Sequence, residues 1–329
     1  MAICDIDADR ARSAAEEEHI PHIAANIDEL LTMTNVDLID LCTPSGLHYQ
    51  QTLQALRAGK DVVLEKPVAG SVKEADELIA AEKASGKRVM PIFQYRFRNG
   101  VQKLKYLKDQ GLTGQAYVTT VETCWRRRPE YYATWHGKWK TELGGPLVTL
   151  AVHANDILYY IIGSARSVFA RAKTMVNPIE TEDCVSASLE MADGSLASIT
   201  VTTGSVKQIT RHRFCFSQLT AESNTEPYSN TSDPWSFTGD TPEIDAAVQS
   251  ALASYVPIEE GFAGQFALYH AAVQAGKPLP ITLQDARNSL ELITALYSSA
   301  WSGQPVTLPI TPDHPMYGGW LDFSKESLR

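Results

Sequence analysis

The sequence lacks the features of a membrane protein, a disulfide-rich secreted protein or a nucleic-acid-binding protein. No apolar run approaches the ~20 residues of a bilayer-spanning helix, and the acidic stretch from Met1 to Asp7 has no signal-peptide apolar core. The five cysteines never form a CxxC pair, which favours reduced thiols in a cytoplasmic protein over disulfides or a metal site. A net charge of −10 argues against nucleic acid and anionic membranes as partners.

Glycine is missing where a dinucleotide-binding fold needs it. Such a fold begins with a strand, a Gly-x-Gly-x-x-Gly turn and a helix, and no glycine cluster of that spacing occurs in the sequence. The segment 2–4 instead reads as a second strand, and it ends at Asp5, the position of the acid that binds the cofactor ribose. Asp7 is the less favoured substitute. We therefore expect a sheet domain without its first strand and phosphate-binding turn, and an active form that begins upstream of Met1.

What is present is the composition of a globular protein with room for two domains. The chain has 329 residues, of which 44% are hydrophobic and 21% charged. Strand-like and helix-like segments alternate up to residue 93, which predicts βαβ units and a parallel sheet. The predicted strands are 2–4, 36–42, 61–64 and 88–93, and the predicted helices are 8–18, a helix starting at 26, 47–58 and 72–84.

The pattern changes after Gln94. Alternating and apolar segments predict strands at 116–124, 168–174, 185–191, 196–203 and 209–216, and helices at 101–110, 146–162, 261–275 and 283–302. A polar stretch at 223–243 predicts a long surface loop. We therefore expect an α/β protein with an N-terminally truncated Rossmann-type parallel-sheet domain at 1–94. An α+β domain with a large, mainly antiparallel sheet would follow at 95–329 for substrate binding and dimerisation, its last segments packing back on the first domain.

Two groups of polar residues stand out as candidates for chemistry. Glu65 and Lys66 follow the predicted strand 61–64, and open α/β sheets hold their ligands at the carboxyl ends of strands. The alternative for this pair is a solvated strand end. In the predicted helix 146–162, Thr149, His153 and Asp156 share one face. His153 is suited to proton transfer near neutral pH, although a lone histidine on an apolar helix is more often a core residue.

An arginine- and aromatic-rich loop at 125–139 is a third candidate region. Arg126 and its two neighbouring arginines either bind an anionic substrate or form a solvated basic loop, and the sequence favours neither reading. Trp135 lies in the same loop and is a substrate-binding candidate together with Thr149 and Asp156.

These motifs in their order resemble the glucose–fructose oxidoreductase/inositol dehydrogenase (Gfo/Idh/MocA) family. The matching segments are Thr43-Pro44-x-x-x-His48, Ala58-Gly59-Lys60, Glu65-Lys66-Pro67, Gln94-Tyr95-Arg96-Phe97, Gly144-Gly145-Pro146, His153-x-x-Asp156 and Gly303-Gln304-Pro305-Val306. The resemblance implies that Lys66 lies beside the nicotinamide and the substrate hydroxyl and that His153 is the acid/base. It also implies a cofactor site built from Thr43, Pro44, His48, Glu65 and Arg96. Many members carry an aspartate four residues before the histidine, where this chain has Thr149.

The expected function is therefore an NAD(P)-dependent dehydrogenase acting on a sugar, cyclitol or related polyol. Asp5 favours NAD over NADP, because its charge would repel a 2′-phosphate. We expect a homodimer or homotetramer built through the second domain's sheet, and no metal. The alternative is a homologue that binds no cofactor and serves as a ligand-binding or dimerising module, because the phosphate-binding turn is missing.

Overall fold

The computed structural model describes residues 1–321 and divides into two compact units. Unit 1 consists of Met1–Gly70, Glu74–Ile92 and Ile281–Ala286, and unit 2 of Ser71–Lys73, Phe93–Pro280 and the chain from Arg287 onward. Every helix within residues 1–321 is too short or too polar to cross a bilayer.

The N-terminal part of the chain forms a parallel sheet with helical connections, as the sequence predicted. Its strands are β1 (Leu38–Leu41), β2 (Asp61–Leu64) and β3 (Val89–Pro91), in the order β1-β2-β3, and its helices are α1 (Ala8–Glu17), α2 (Ile27–Thr32), α3 (Ser45–Arg57) and α4 (Val72–Ser85). Val62 and Val63 in the central strand are completely buried. A β-branched run suits this position because both faces of a parallel strand are covered.

The predicted strand at 2–4 is reduced to a single bridge. Ile3 pairs in parallel with Ile23 only, through Ile3 N–H to His22 O and Ala24 N–H to Ile3 O. The chain then turns away at once, because the Asp5 carboxylate accepts from Asp7 N–H and Asp7 caps the first turn of α1. The predicted strand is therefore wrong in extent.

Unit 2 is built on an eight-stranded sheet. The strands are β4 (Ala116–Arg126), β5 (Ala165–Lys173), β6 (Cys184–Met191), β7 (Leu196–Thr202), β8 (Gly204–Phe216), β9 (Leu219–Glu222), β10 (Ser236–Gly239) and β11 (Val306–Thr307). Their order is β10-β9-β8-β4-β7-β6-β5-β11, and only the β4–β7 pair is parallel. The helices are α5 (Asn99–Asp109), α6 (Trp139–Glu142), α7 (Pro146–Thr149), α8 (Val152–Ile161), α9 (Pro242–Ala253), α10 (Gly261–Gln274) and α11 (Leu283–Ser302), with 3₁₀ turns at Gln94–Arg96 and Pro129–Tyr132. The predicted fold class is confirmed.

One face of this sheet packs into the core. In β6 the residues Val185, Ala187, Leu189 and Met191 are buried, and Ser186 and Ser188 between them are exposed. On β8, Phe214 and Phe216 pack in one hydrophobic cluster with Ile157 and Ile161 of α8. The sheet thereby supports helix α8, which carries His153.

The stretch 223–243 is not the surface loop that its polar composition predicted. It contains β10 and the first residues of α9, and Asn230 and Thr231 inside it are completely buried. The reason is that the Asn230 side chain donates from Nδ2 to Nδ1 of buried His212. The backbone carbonyl of Asn230 accepts from Trp235 Nε1. Polar side chains that find partners inside the protein are buried at little cost.

Candidate active site

The imidazole of His153 is held by aromatic packing. His153 lies in α8 and is buried, and its ring stacks on Tyr95 at a centroid distance of 4.6 Å and an interplanar angle of 18°. Phe93 meets the same ring edge-on at 6.3 Å. A proton-transfer group must be held in a defined orientation, and packing from two aromatic neighbours provides this.

A buried ion pair lies one turn further along the same helix. Arg96 Nε donates to Asp156 Oδ2 at 2.7 Å, and Arg96 Nη2 lies 2.6 Å from Asp156 Oδ1. The guanidinium also lies over the Tyr160 ring at 4.9 Å. The structure thus brings together two residues assigned from sequence to different ligands, Arg96 to the cofactor and Asp156 to the substrate. Those assignments stay predictions, and the pair by itself joins the 94–96 turn to α8.

The single helix predicted over 146–162 is wrong at Leu150 and Ala151. Helix α7 ends at Thr149, α8 begins at Val152, and Ala151 N–H reaches back five residues to Pro146 O at 2.7 Å. Thr149 Oγ1 donates to Gly145 O, the carbonyl that also accepts Thr149 N–H. Such widened turns are frequent at functional sites. Thr149 and His153 therefore lose their regular helical spacing, whereas His153 and Asp156 keep theirs.

Thr149 lines a small cleft in unit 2. The cleft has a volume of about 10 Å³, and the polar residues of its lining are Tyr131, Tyr132, Glu142, Thr149 and Thr203. Glu142 is buried, and its carboxylate accepts from Gly137 N–H and pairs with Nδ1 of His136 at 2.8 Å. Burial raises the pKa of Tyr131 to about 12, and the Glu142 charge adds to that effect. Both phenols of the cleft are thus neutral hydroxyl groups that donate and accept hydrogen bonds.

The arginine- and aromatic-rich loop at 125–139 supplied two substrate-binding candidates from the sequence, Arg126 and Trp135. Arg126 is exposed, and its Nη1 donates to Gly204 O. Trp135 is also exposed and stacks on His136 at 3.8 Å. Neither residue lines the cleft, and the intervening Tyr131 and Tyr132 do. Sequence reasoning missed these tyrosines, together with Glu142 and Thr203. The available signal was an acidic residue two positions before the glycine pair at 144–145.

In unit 1, His48 ties two segments of the predicted cofactor site together. Its Nδ1 lies 2.7 Å from Pro67 O and its Nε2 lies 2.7 Å from Thr43 O. His48 thus joins the Thr43-Pro44 segment after β1 to the Glu65–Pro67 segment after β2. These are the carboxyl ends of neighbouring parallel strands.

Of the remaining predicted cofactor residues, Pro44 follows β1, and Glu65 and Lys66 follow β2. Lys66 is half-buried directly after β2, and its backbone N–H donates to Oε2 of Glu65 at 3.1 Å. Pro44 precedes the first residue of α3. The half-buried Asp5 accepts from Asp7 N–H and lies 3.7 Å from the exposed guanidinium of Arg10. Asp7 is engaged as the cap of α1, which leaves Asp5 as the better candidate for a ribose contact.

A two-part chain with a parallel α/β sheet in one unit and a large, mainly antiparallel sheet in the other has the architecture of a nicotinamide-dependent dehydrogenase. Comparison with known proteins agrees. Residues 1–93 match the family described as "Oxidoreductase family, NAD-binding Rossmann fold", and residues 101–218 match the "GFO/IDH/MocA C-terminal domain". The chain therefore belongs to the Gfo/Idh/MocA oxidoreductase family.

Individual relatives are similar at a lower level. D-glucoside 3-dehydrogenase of Escherichia coli is 29% identical over 50% of this chain and 46% of its own length, and the scyllo-inositol 2-dehydrogenase (NADP(+)) IolW of Bacillus subtilis is 26% identical over 86% and 82%. An uncharacterized Synechocystis oxidoreductase is 29% identical over 61% of this chain. The chain spans about half the length of several curated relatives, 58% and 46% in two cases. The WlbA dehydrogenase of Bordetella pertussis, solved with NADH and UDP-GlcNAcA, is 28% identical with a TM-score of 0.82 over 94% of this chain and 90% of its own.

Proposed function

We propose that this protein is an NAD-dependent dehydrogenase that oxidises a carbinol of a neutral sugar, cyclitol or related polyol, or reduces the matching ketone. In this proposal residues 1–94 bind the cofactor and residues 95–329 bind the substrate. The observation that carries it is the cleft beside the His153 helix, whose polar lining consists of hydroxyl groups and one carboxylate. Relatives named as dehydrogenases of a glucoside and of an inositol support the same substrate class.

The lining of the cleft is the reason for choosing a neutral substrate. Tyr131, Tyr132, Thr149 and Thr203 offer hydroxyl groups, and Glu142 accepts hydrogen bonds from sugar hydroxyls. Within the described residues, none of the side chains lining the cleft is basic. A carboxylate or phosphate on the substrate would be repelled by the Glu142 carboxylate in the cleft wall.

Two residues carry the proposed chemistry. His153 takes the proton of the reacting hydroxyl, and Lys66 donates a hydrogen bond to the same oxygen and stabilises its developing negative charge. The nicotinamide cofactor supplies the hydride acceptor. Thr149 stands where many relatives carry a carboxylate, so His153 would work without that partner. A hydroxyl at this position instead orients the substrate.

The residues of unit 1 suit the nicotinamide and the adenosine ribose of the cofactor better than its pyrophosphate. In this proposal the nicotinamide lies by Thr43, His48 and Lys66, which follow β1 and β2, and Asp5 binds the adenosine ribose. A pyrophosphate needs backbone N–H groups on a glycine turn, and residues 1–93 contain no Gly-x-Gly-x-x-Gly segment. The second candidate function is a ligand-binding homologue that uses no cofactor.

Calorimetric titration of NADH and NADPH distinguishes the two candidates. The dehydrogenase proposal expects NADH to bind more tightly than NADPH, since Asp5 repels the 2′-phosphate. Saturable binding of a sugar without any binding of either dinucleotide would favour the cofactor-free module. Equal affinity for both dinucleotides would remove the assigned role of Asp5.

Steady-state assays with a panel of neutral sugars, cyclitols and sugar acids test the roles of the two residues. Lys66→Ala and His153→Ala should each lower kcat/KM by roughly 10²–10⁴, the range of general acid–base contributions. Lys277→Ala and His270→Ala remove exposed side chains of the same types and should leave turnover unchanged. Near-normal turnover in either site variant removes that residue from the mechanism, and a preference for sugar acids contradicts the neutral substrate class.

A further inference from the structure

Glu182 is a completely buried carboxylate with no cation beside it in the described part of the chain. It directly precedes Asp183 and strand β6, its side chain is 0% exposed, and it forms no salt bridge. Its Oε2 accepts from Gly145 N–H at 3.0 Å and from the Tyr297 hydroxyl at 2.9 Å, and its Oε1 accepts from Leu147 N–H at 3.1 Å. Burying a carboxylate is expensive unless its hydrogen bonds are made, so all three donors are needed.

The two glycines before Pro146 leave no room for a side chain next to Glu182 and Tyr297. A Cβ on Gly145 would lie 2.0 Å from the Glu182 backbone oxygen and 2.8 Å from its carboxyl carbon. A Cβ on Gly144 would lie 2.5 Å from the Tyr297 hydroxyl. The Gly144-Gly145-Pro146 motif is therefore explained by the close approach of Glu182 and Tyr297.

The same turn is held from its other side. Trp320 is buried, packs on the Tyr297 ring at 5.5 Å and donates from Nε1 to Leu143 O at 2.6 Å. Leu143 adopts a left-handed backbone with φ +66°, which is strained for a leucine. The turn 143–147 is thus fixed by the segment before β6, by α11 and by the C-terminal segment. Strain of this kind persists where the surroundings over-determine the backbone.

This turn controls where Thr149 stands. Gly145 donates its N–H to Glu182, and its carbonyl accepts both the backbone N–H and the hydroxyl of Thr149. Pro146 O in turn accepts from Leu150 and Ala151 at the widened turn that leads into α8. A shift of Gly145 would therefore move Thr149 in the cleft and change how α8, with His153, begins.

We propose that Glu182 is a positioning residue for the proposed dehydrogenase: through Gly145 and Leu147 it holds Thr149 and the start of the His153 helix in place for the substrate. Tyr297 is its supporting partner. Burial raises the pKa of Glu182 to about 7, although the three hydrogen bonds that it accepts act to lower this pKa. The titratable groups that act on this pair are Tyr297 itself and Glu142, and no cation contributes. The expected effect on catalysis rests on the proposed function. The expected effect on the turn rests on the hydrogen bonds of Glu182.

The test combines a structural readout with a kinetic one. Glu182→Gln keeps the shape of the side chain but presents an amide N–H₂ to at least one donor, and Tyr297→Phe removes the supporting hydroxyl. Glu190→Gln makes the same chemical change in β6 at a partly exposed carboxylate and is the matched control. Hydrogen–deuterium exchange should rise in peptides spanning 143–153 in both site variants, and the rest of unit 2 should match the control.

With the preferred substrate, Glu182→Gln should lower kcat/KM by about tenfold to a hundredfold, the effect of a misplacement near 1 Å, while the Kd for NADH stays unchanged. Unchanged exchange at 143–153 would overturn the proposal, as would exchange that rises uniformly through unit 2. Local exchange with unaltered kcat/KM would also overturn it. If no sugar or polyol is turned over by the parent protein, the proposed function fails, and the exchange result still decides whether Glu182 holds the turn.

Discussion

At the scale of single residues, the buried Arg96–Asp156 pair makes a sharp stability prediction. Both side chains are buried, and removing either one would leave the other as an uncompensated buried charge. Asp156→Asn or Arg96→Ala should therefore lower the free energy of unfolding by about 3–5 kcal/mol. The exposed Arg166–Glu190 pair is the control, and Arg166→Ala should change stability by about 0.5 kcal/mol or less. Urea unfolding measures both, and equal effects at the two pairs would contradict the prediction.

His212 makes the fold sensitive to acid. It is completely buried between the Ala154 carbonyl and the Asn230 amide, and burial lowers its pKa from 6.5 to about 4. Between these values the unfolded chain binds a proton that the folded chain does not, so stability falls as pH drops from 6.5 toward 4. The loss approaches about 3 kcal/mol for this group alone.

His212→Gln isolates this effect, because a glutamine amide does not titrate. Thermal unfolding followed from pH 7 to pH 4 should show a steeper fall of Tm in the parent protein than in the variant. The variant loses hydrogen bonds and is less stable at pH 7, so the slope, and not the absolute Tm, is the quantity compared. Parallel curves would show that another group causes the acid sensitivity.

At the scale of elements, the turn before α7 tolerates no side chain at Gly145. A Cβ there meets backbone at 2.0 Å, and backbone cannot move aside as a flexible side chain can. Gly145→Ala should therefore cost about 1–3 kcal/mol. Gly46, near the start of α3, has nothing within 4 Å of its would-be Cβ, so Gly46→Ala should stabilise by about 0.4–1 kcal/mol. Chemical denaturation of both variants checks the contrast, which would disappear if α7 relaxed freely.

Elements with a strong local signal were predicted well from the sequence. Strand β2 has the predicted bounds, 61–64, because a β-branched run stands between Gly59, with φ +73°, and Pro67. The break of the 146–162 helix was not predictable locally, because the turn before it is held by Glu182, which is 37 residues from Gly145. The polar stretch 223–243 was misjudged for a similar reason. Its buried Asn230 is hydrogen-bonded to His212, which lies on β8.

The candidate site shows the same division. His153 and Lys66 were predicted as site residues from motifs whose residue types and order resemble those of the family. The aromatic rings against His153 and the proposed role of Glu182 depend on contacts between distant segments, whereas the partners of Glu142 lie in its own loop. A glycine pair before a proline was the one local sign of a close approach.

At the scale of the whole molecule, the outer face of the eight-stranded sheet remains to be accounted for. Its inner face is covered by α8 and the core. On the outer face Val118 of β4 lies directly beside Leu196 of β7, and the two side chains are 41% and 55% exposed. Phe169 of β5 is a further exposed apolar residue of this sheet. On β6 the outward-facing residues include the small, polar Ser186 and Ser188, which make this part of the outer face flat.

We predict that this face meets a second copy of the chain across a two-fold axis, giving a homodimer or homotetramer. A two-fold contact places Val118 and Leu196 against the same surface of the partner and removes their apolar area from water. Sedimentation velocity at micromolar concentration should give an oligomer for the parent protein and a monomer for Leu196→Arg, because a buried unpaired charge opposes association. Val256→Arg alters an equally apolar but more exposed residue outside the sheet and should leave the oligomer intact. A monomeric parent protein, or an oligomer that survives Leu196→Arg, would place the interface elsewhere or nowhere.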